Sequence, residues 1–261
     1  MYNQVIFFLV ALLLFAIQHT RDKPILPPLE NLLLGAGCFL GFILICHLAF
    51  RRVKRLLVAD APRSSLLSRY LAAQTRLSVL ALANLAIAVY VLNIKYYLQD
   101  LPGFERSFTL QGITALGLFL LHLGVIWIYS YPIYRRIHHS EIRPRVFLWE
   151  NVAFSTAILV PWFFISLFSD ILQVLTLPPS LQSESGQTLL MAALLSACLL
   201  FAPRLIVRLW GCRPLPRNAL REELENFAQA HRFRVGNFLL WPLFGGEILT
   251  AGIIGILPRW R

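Results

Sequence analysis

Residues 31–50 read NLLLGAGCFLGFILICHLAF, with no charged side chain before the basic cluster Arg51-Arg52-Val53-Lys54-Arg55. A helix rising about 1.5 Å per residue crosses about 30 Å over such a run, the thickness of a bilayer's hydrocarbon core. The sharp change from apolar to basic reads as a membrane span reaching a cytoplasmic surface, where Lys and Arg collect.

Five further segments extend the pattern. Residues 4–18 form a short apolar run that reaches into polar flanks. Residues 77–94 follow, with Lys95-Tyr96-Tyr97 as an expected interfacial anchor, and then 110–131, ahead of Arg135 and Arg136. Residues 146–168 contain Pro161, whose missing N–H predicts a kink. Residues 188–210 end in turns that Pro203, Arg204 and Arg208 mark as interfacial. The expected fold is an all-α polytopic membrane protein of about six transmembrane helices over 1–210, with a small α+β cytosolic C-terminal segment over 211–261.

Composition agrees. Hydrophobic residues make up 57% of the chain and charged residues 14%, too few to coat a soluble fold of 261 residues. The net charge of +11 would suit nucleic acid only if it gathered on one face. Here it sits in short clusters between apolar runs, so the expected partner is the lipid bilayer and not nucleic acid. The first residues, Met1-Tyr2-Asn3-Gln4, carry no positive side chain and no small-residue cleavage site follows. The first run is therefore expected to be a retained helix and not a cleaved signal peptide.

Orientation follows from the short connections. Arg51, Arg52, Lys54, Arg55, Arg63, Arg69, Arg76, Arg135, Arg136, Arg143 and Arg145 lie on one side. Arg21, Lys23, Lys95 and Arg106 lie on the other, eleven against four. This asymmetry puts both termini in the cytoplasm of a cell whose inner (plasma) membrane, taken as bacterial, holds the chain.

Beyond Gly211 the pattern changes. Asn218 is the expected N-cap of an amphipathic, water-facing helix in which Leu220, Leu224, Phe227 and Ala228 recur at helical spacing. Glu222, Glu223, Glu225 and Gln229 lie between them, and His231 suits the helix C-terminus. Hydropathy would allow a seventh span over 238–257, interrupted by Glu247. Trp241-Pro242 and Gly245-Gly246 read instead as a turn between strand-like runs, so a β-hairpin over 234–257 is favoured over that helix.

Catalytic signatures are missing: there is no HExxH, GxSxG or GxxxxGK[ST], and no GxGxxG after a strand. No catalytic and no metal-binding residue is assigned. His138 and His139 read as part of a basic loop. His47, His122 and Asn84 fall in spans, where an interhelical hydrogen bond or, for the histidines, snorkelling is the simpler role. Cys38, Cys46, Cys198 and Cys212 form no CxxC and read as packing residues, and Gly35-Ala36-Gly37 with Gly41 as a helix-packing face. No span is read as carrying a carboxylate opposite a basic partner, and the six spans are read as lacking Asp and Glu, which counts against proton-coupled transport.

One segment does resemble a known family. Arg213-Pro214-Leu215-Pro216-Arg217-Asn218-Ala219-Leu220-Arg221-Glu222-Glu223-Leu224-Glu225 is followed by Leu240-Trp241-Pro242, by Leu249-Thr250-Ala251-Gly252-Ile253-Ile254-Gly255, and by Pro258-Arg259-Trp260-Arg261. This order resembles the segment upstream of the catalytic helix in membrane-embedded zinc metallopeptidases of the HtpX and CAAX prenyl protease type. Thr250 stands where that family usually has Asn. The resemblance implies a zinc metalloendopeptidase acting on membrane protein or peptide substrates. It also implies that this chain is the front portion, a fragment or a truncated product, because HExxH is absent. Zinc is expected only with a downstream HExxH segment, and this chain by itself holds no cofactor. By the same resemblance Ile248, Leu249, Thr250, Ala251, Gly252, Ile253, Ile254, Gly255 and Ile256 form the candidate substrate-guiding strand. The alternatives are a non-enzymatic membrane scaffold or assembly protein and a transporter subunit.

Overall fold

The computed structural model describes residues 2–17, 24, 26–58, 62–139, 141–157, 159–175, 178, 183–232 and 235–241. The chain divides into two compact units, Met1–Leu148 and Trp149–Arg261.

The first unit holds α1 (Tyr2–Ile17), α2 (Pro28–Val58), α3 (Arg63–Ala86), a π-helical turn (Ile87–Val91), α4 (Ile94–Leu98) and α5 (Phe108–Ile137). Local chemistry sets the ends. Pro28 begins α2 and Glu30 meets the positive end of its dipole, while Arg55 lies in its last turn. Ser107 caps α5 by accepting from the Leu110 amide at 3.0 Å. α3 loosens into the π turn, and Asn93, left-handed at φ 47, turns the chain into α4.

α5 packs against α1, α2 and α3. Phe8 and Phe119 meet edge to face at 5.3 Å, and Phe15, Ile126, Ile133, Leu85 and Val89 complete a fully buried centre. Outward, α1 presents Ile6, Leu9, Leu13 and Ile17, and α2 presents Leu33, Leu40, Leu44 and Leu48, all exposed. A monomer in water rarely exposes apolar patches beyond a few hundred Å², so long helices with apolar outer faces mark a protein whose solvent is lipid.

The second unit contains most of α6 (Pro144–Ala157), then α7 (Val160–Val174) and α8 (Glu184–Leu209). α7 packs on α8. The kink expected at Pro161 is a break: α6 and α7 meet at 57°, with Pro161 in the first turn of α7, where its missing N–H is harmless.

By length and composition four helices among the described residues can cross a membrane: Pro28–Leu56, Ser64–Val91, Phe108–Ile137 and Glu184–Leu209. A fifth span results if the bent α6–α7 pair counts as one. The 16 residues of α1 reach about 24 Å, short of a full crossing. The chain is thus mainly helical, with four or five candidate spans and little sheet. Helix boundaries also shift: of the run expected over 77–94, residues 77–86 end a helix that starts at Arg63, and 87–91 form the π turn before the break at Asn93.

After α8 come β1 (Arg213–Pro214), α9 (Ala219–Ala230) and β2 (Leu239–Leu240). The strands pair antiparallel, Arg213 opposite Leu240 and Pro214 opposite Leu239, and the Leu215 amide donates to the Phe238 carbonyl at 2.9 Å. Among the described residues the end of the expected strand 234–240 is thus paired with 213–214. The reason lies in the chain's route. α9 folds back and brings the start of the segment to its end, so pairing is set by tertiary return and not by a local turn. Residues 242–257, the rest of the expected hairpin, lie outside the described residues.

Candidate functional site

The candidate substrate-guiding strand, residues 248–256, lies outside the described residues. What leads to it is described. Asn218 caps α9 as expected, accepting from the Arg221 amide at 3.1 Å. Arg221 holds the segment together: its Nε donates to Glu225 at 2.7 Å, one guanidinium nitrogen to the Leu215 carbonyl at 2.8 Å, and the other to the Asn237 side chain at 3.4 Å. At the helix end His231 stacks on Phe227, its ring centroid 4.3 Å away, and Nδ1 lies 3.1 Å from the Phe227 carbonyl. That is the cap expected of a donor near the negative end of the dipole.

The expected amphipathic helix α9 leaves most of its apolar side uncovered among the described residues. Of its apolar stripe only Ala228 is buried, and Leu220, Leu224 and Phe227 are exposed. A 12-residue helix beside a two-residue strand pair offers too little surface to cover them.

Three stacked rings sit where this segment leaves and returns. Trp210, the residue after α8, and Trp241, the residue after β2, lie 4.2 Å apart and within 10° of parallel. Phe154 of α6 lies 5.8 Å from Trp210 and 5.6 Å from Trp241, also nearly parallel to both. The Trp210 indole N–H is buried without a hydrogen-bond partner among the described residues.

Within the first unit, polar groups meet in two places. On α5, His122 faces Asn84 of α3, with Nε2 3.0 Å from the Asn84 amide nitrogen and Nδ1 2.8 Å from the Leu118 carbonyl. An amide nitrogen only donates, so both contacts are hydrogen bonds when the ring is neutral and carries its proton on Nδ1. Phe39 and Phe42 of α2 press edgewise on the imidazole at 5.1 and 5.0 Å. One polar pair thus joins α3 to α5, and two aromatics bring α2 to the same ring. This is the interhelical bond expected of Asn84 and His122. His47, by contrast, is exposed and meets the Tyr129 ring at 5.6 Å.

The second place is the break after α3. Asn31 of α2 donates to the Leu92 carbonyl at 2.6 Å and to the Tyr97 hydroxyl at 3.1 Å, while its Oδ1 is buried with no partner among the described residues. The π turn frees carbonyls that a regular helix would use, and Asn31 supplies one donor. Nearby, Lys95 Nζ donates to the Phe15 carbonyl at 2.8 Å and sits 5.2 Å from the Phe15 ring centre. Lys95, the first residue of the expected anchor Lys95-Tyr96-Tyr97, is buried and bridges to the C-terminal end of α1. Burial lowers its pKa. Asn31 escaped the sequence reading because it was the first residue of an expected span. The available signal was a lone amide beside an otherwise apolar run.

The remaining candidates are dispersed. Among the described residues no three His, Cys, Asp or Glu side chains gather as a metal ion would require, so no donor set for zinc is offered there. His138 stacks on Tyr134 at 4.5 Å, and His139 takes a left-handed turn at φ 52. The cysteines are free thiols. Gly35 is a close-packing position, since an added Cβ would stand 3.3 Å from Leu92 Cδ1, but Gly37 and Gly41 face open space. Glu150 falls inside the expected fifth span, a carboxylate that the argument against transport left out. Compared with protein-family models, with curated proteins and with solved structures, the chain matches none of them.

Proposed function

We propose that the chain is the membrane part of a zinc metalloendopeptidase-type protein, holding a substrate-presenting segment at the membrane surface. The observation that supports this reading is the order after α8: a capped helix, then a short strand at Leu239–Leu240, ahead of residues 248–256 in the sequence. That is the succession found upstream of the catalytic helix in the family resembled. In this reading Ile248–Ile256 pairs with an extended substrate backbone, as edge strands do in β-augmentation. The zinc ligands and general base are not among these 261 residues, so the chain's share is to hold and present substrate, not to activate water.

The finer topology belongs to the same proposal: about six spans in a bacterial inner membrane, with both termini cytoplasmic. The lysine and arginine asymmetry supports it. Labelling single cysteines from outside tests it: Ser180→Cys reacts and Asp60→Cys does not, and the reverse pattern overturns the orientation. The peptidase reading is tested by the coding sequence downstream of Arg261. An HExxH within some tens of codons supports it, and a gene product that ends at Arg261 overturns it.

A second reading, a non-enzymatic scaffold, draws support from the polar contacts of the first unit. Asn84–His122, Asn31–Leu92 and Lys95–Phe15 each join one helix to another segment. Such contacts fix a shape, as a scaffold requires.

A further inference from the structure

We propose that α9 is a surface-bound amphipathic helix lying in the membrane–water interface, with Leu220, Leu224 and Phe227 seated in lipid beside the end of α8. This does not depend on the peptidase reading.

The argument begins with the faces of α9. At about 100° per residue, Leu220, Leu224 and Phe227 fall within about 60° of one another. Their exposures are 53%, 36% and 62%. Arg221 and Ala228 lie about 90° around the helix from that stripe, and this is the side that packs on the segment itself, through Leu215 and Asn237. Glu222 and Gln229 lie opposite the stripe, both exposed. The helix therefore has a packed side, a charged side and an apolar side that no described residue covers. Leu239 and Leu240 of β2 are exposed as well.

Lipid is the occupant because of how the segment is tied. α8 is apolar and outward-facing, with Leu195, Leu199, Phe201 and Leu209 exposed on a helix long enough to cross a bilayer. Trp210 follows its last residue, and Trp241 stacks on Trp210. Both ends of the stretch 211–240 are thus fixed at one end of a spanning helix, by the residue type that membranes concentrate at their interfaces. A closed loop of this kind cannot carry α9 far from the surface, and a bare apolar stripe held at a surface enters it. Arg213, Arg217 and Arg232, exposed on either side of α9, are placed to meet phosphates. Glu222, Glu223 and Glu225 offset them, so insertion rests on apolar contact more than on anionic lipid.

The test places spin labels in the full chain reconstituted in phosphatidylcholine nanodiscs, one site at a time: Leu220→Cys, Leu224→Cys, Phe227→Cys, Glu222→Cys and Gln229→Cys. Only Cys38 and Cys212 need replacement, because the Cys46 and Cys198 side chains are buried. Collision with oxygen, which concentrates in lipid, is compared with collision with a water-soluble nickel chelate. Oxygen is expected to win several-fold at 220, 224 and 227, and nickel at 222 and 229. Nickel access at all five sites overturns the proposal in favour of a helix in water. Exclusion of both reagents at 220, 224 and 227 overturns it in favour of a protein cover. If Phe227→Cys does not fold, positions 220 and 224 read the same face.

Discussion

The two units solve the same problem by different means. In α5 of the first unit 44% of the apolar window is buried, and in α8 of the second 11%. Yet the two windows are similarly apolar, with mean hydropathies of 1.9 and 2.2. Hydropathy therefore does not tell a helix at a protein centre from one facing lipid. Lipid tails are as apolar as leucine, so burial between helices gains little from water release and depends on packing and polar contacts. The first unit has both: interlocked aromatics around Phe119, and Asn31, Asn84, Lys95 and His122 joining its segments. The second is held, where its C-terminal segment returns, by three stacked rings and the contacts of Arg221.

The largest expected effect is at Lys95. Lys95→Glu replaces a donor by an acceptor facing the Phe15 carbonyl and leaves a buried charge without compensation there, a change of about 3–5 kcal/mol. Unfolding in mixed micelles, followed by protection of the first unit, should show that loss. A change near zero would mean that Lys95 reaches water. Its pH dependence sharpens the point. Burial lowers the Lys95 pKa from its ordinary 10.5, so the folded state holds this proton less well than the unfolded one. The resulting cost is present in full below the folded pKa and is relieved as pH rises from there toward 10.5. Stability should gain over that window, and Lys95→Met should gain less.

Next comes packing. Phe119→Ala opens a cavity against Phe8 and should cost roughly 3 kcal/mol, the low end of the range for buried phenylalanines. Leu199→Ala, exposed on α8, should stay within about 0.5 kcal/mol. Equal losses at the two positions would erase the difference between the units. Smaller still is the polar pair. Asn84→Ala removes one interhelical hydrogen bond and should cost about 0.6–1.7 kcal/mol in the same unfolding measurement. A loss above that range would mean that the pair does more than hold α3 to α5.

Part of this was legible in the chain. Runs such as 31–50 announce a span because length and charge are local properties, and Asn218 announces a cap because its donor lies three residues on. Asn84 and His122 could be flagged as polar groups in costly surroundings, since each alone raises the question of a partner. The pairing of Arg213 with Leu240 could not be seen. It depends on α9 folding back, and Pro214 argues locally against a strand, although proline is tolerated at a sheet edge. The bridge of Lys95 could not be seen for a related reason. A lysine beside tyrosines has the composition of an interfacial anchor, and only the path of α1 brings the Phe15 carbonyl to it. Nothing in the spacing of Phe154, Trp210 and Trp241 forecast their stacking.

That stack yields the finest distinction between the units. The first is closed by contacts among its helices, whereas the stretch 211–240 of the second returns to α8 through Trp241, the strand pair and Arg221. If the rings contribute as aromatic pairs do, Trp241→Ala loses about 0.5–1.5 kcal/mol of closure. Opening of the segment would then rise about twofold to tenfold. Where reclosing is fast, proteolysis follows the open population, so trypsin cleavage at Arg217 and Arg232 should accelerate by that factor in nanodiscs. Trp241→Phe keeps a ring over Trp210 and should fall between the two. Cleavage within the first unit should not change, which separates local opening from general unfolding. An unchanged rate in Trp241→Ala would assign closure to Arg221 and the strand pair, and Arg221→Ala would then give the larger acceleration. In that case Trp241 would not fix the loop's far end to α8, and the tether that holds α9 at the membrane would have to come from the contacts of Arg221 instead.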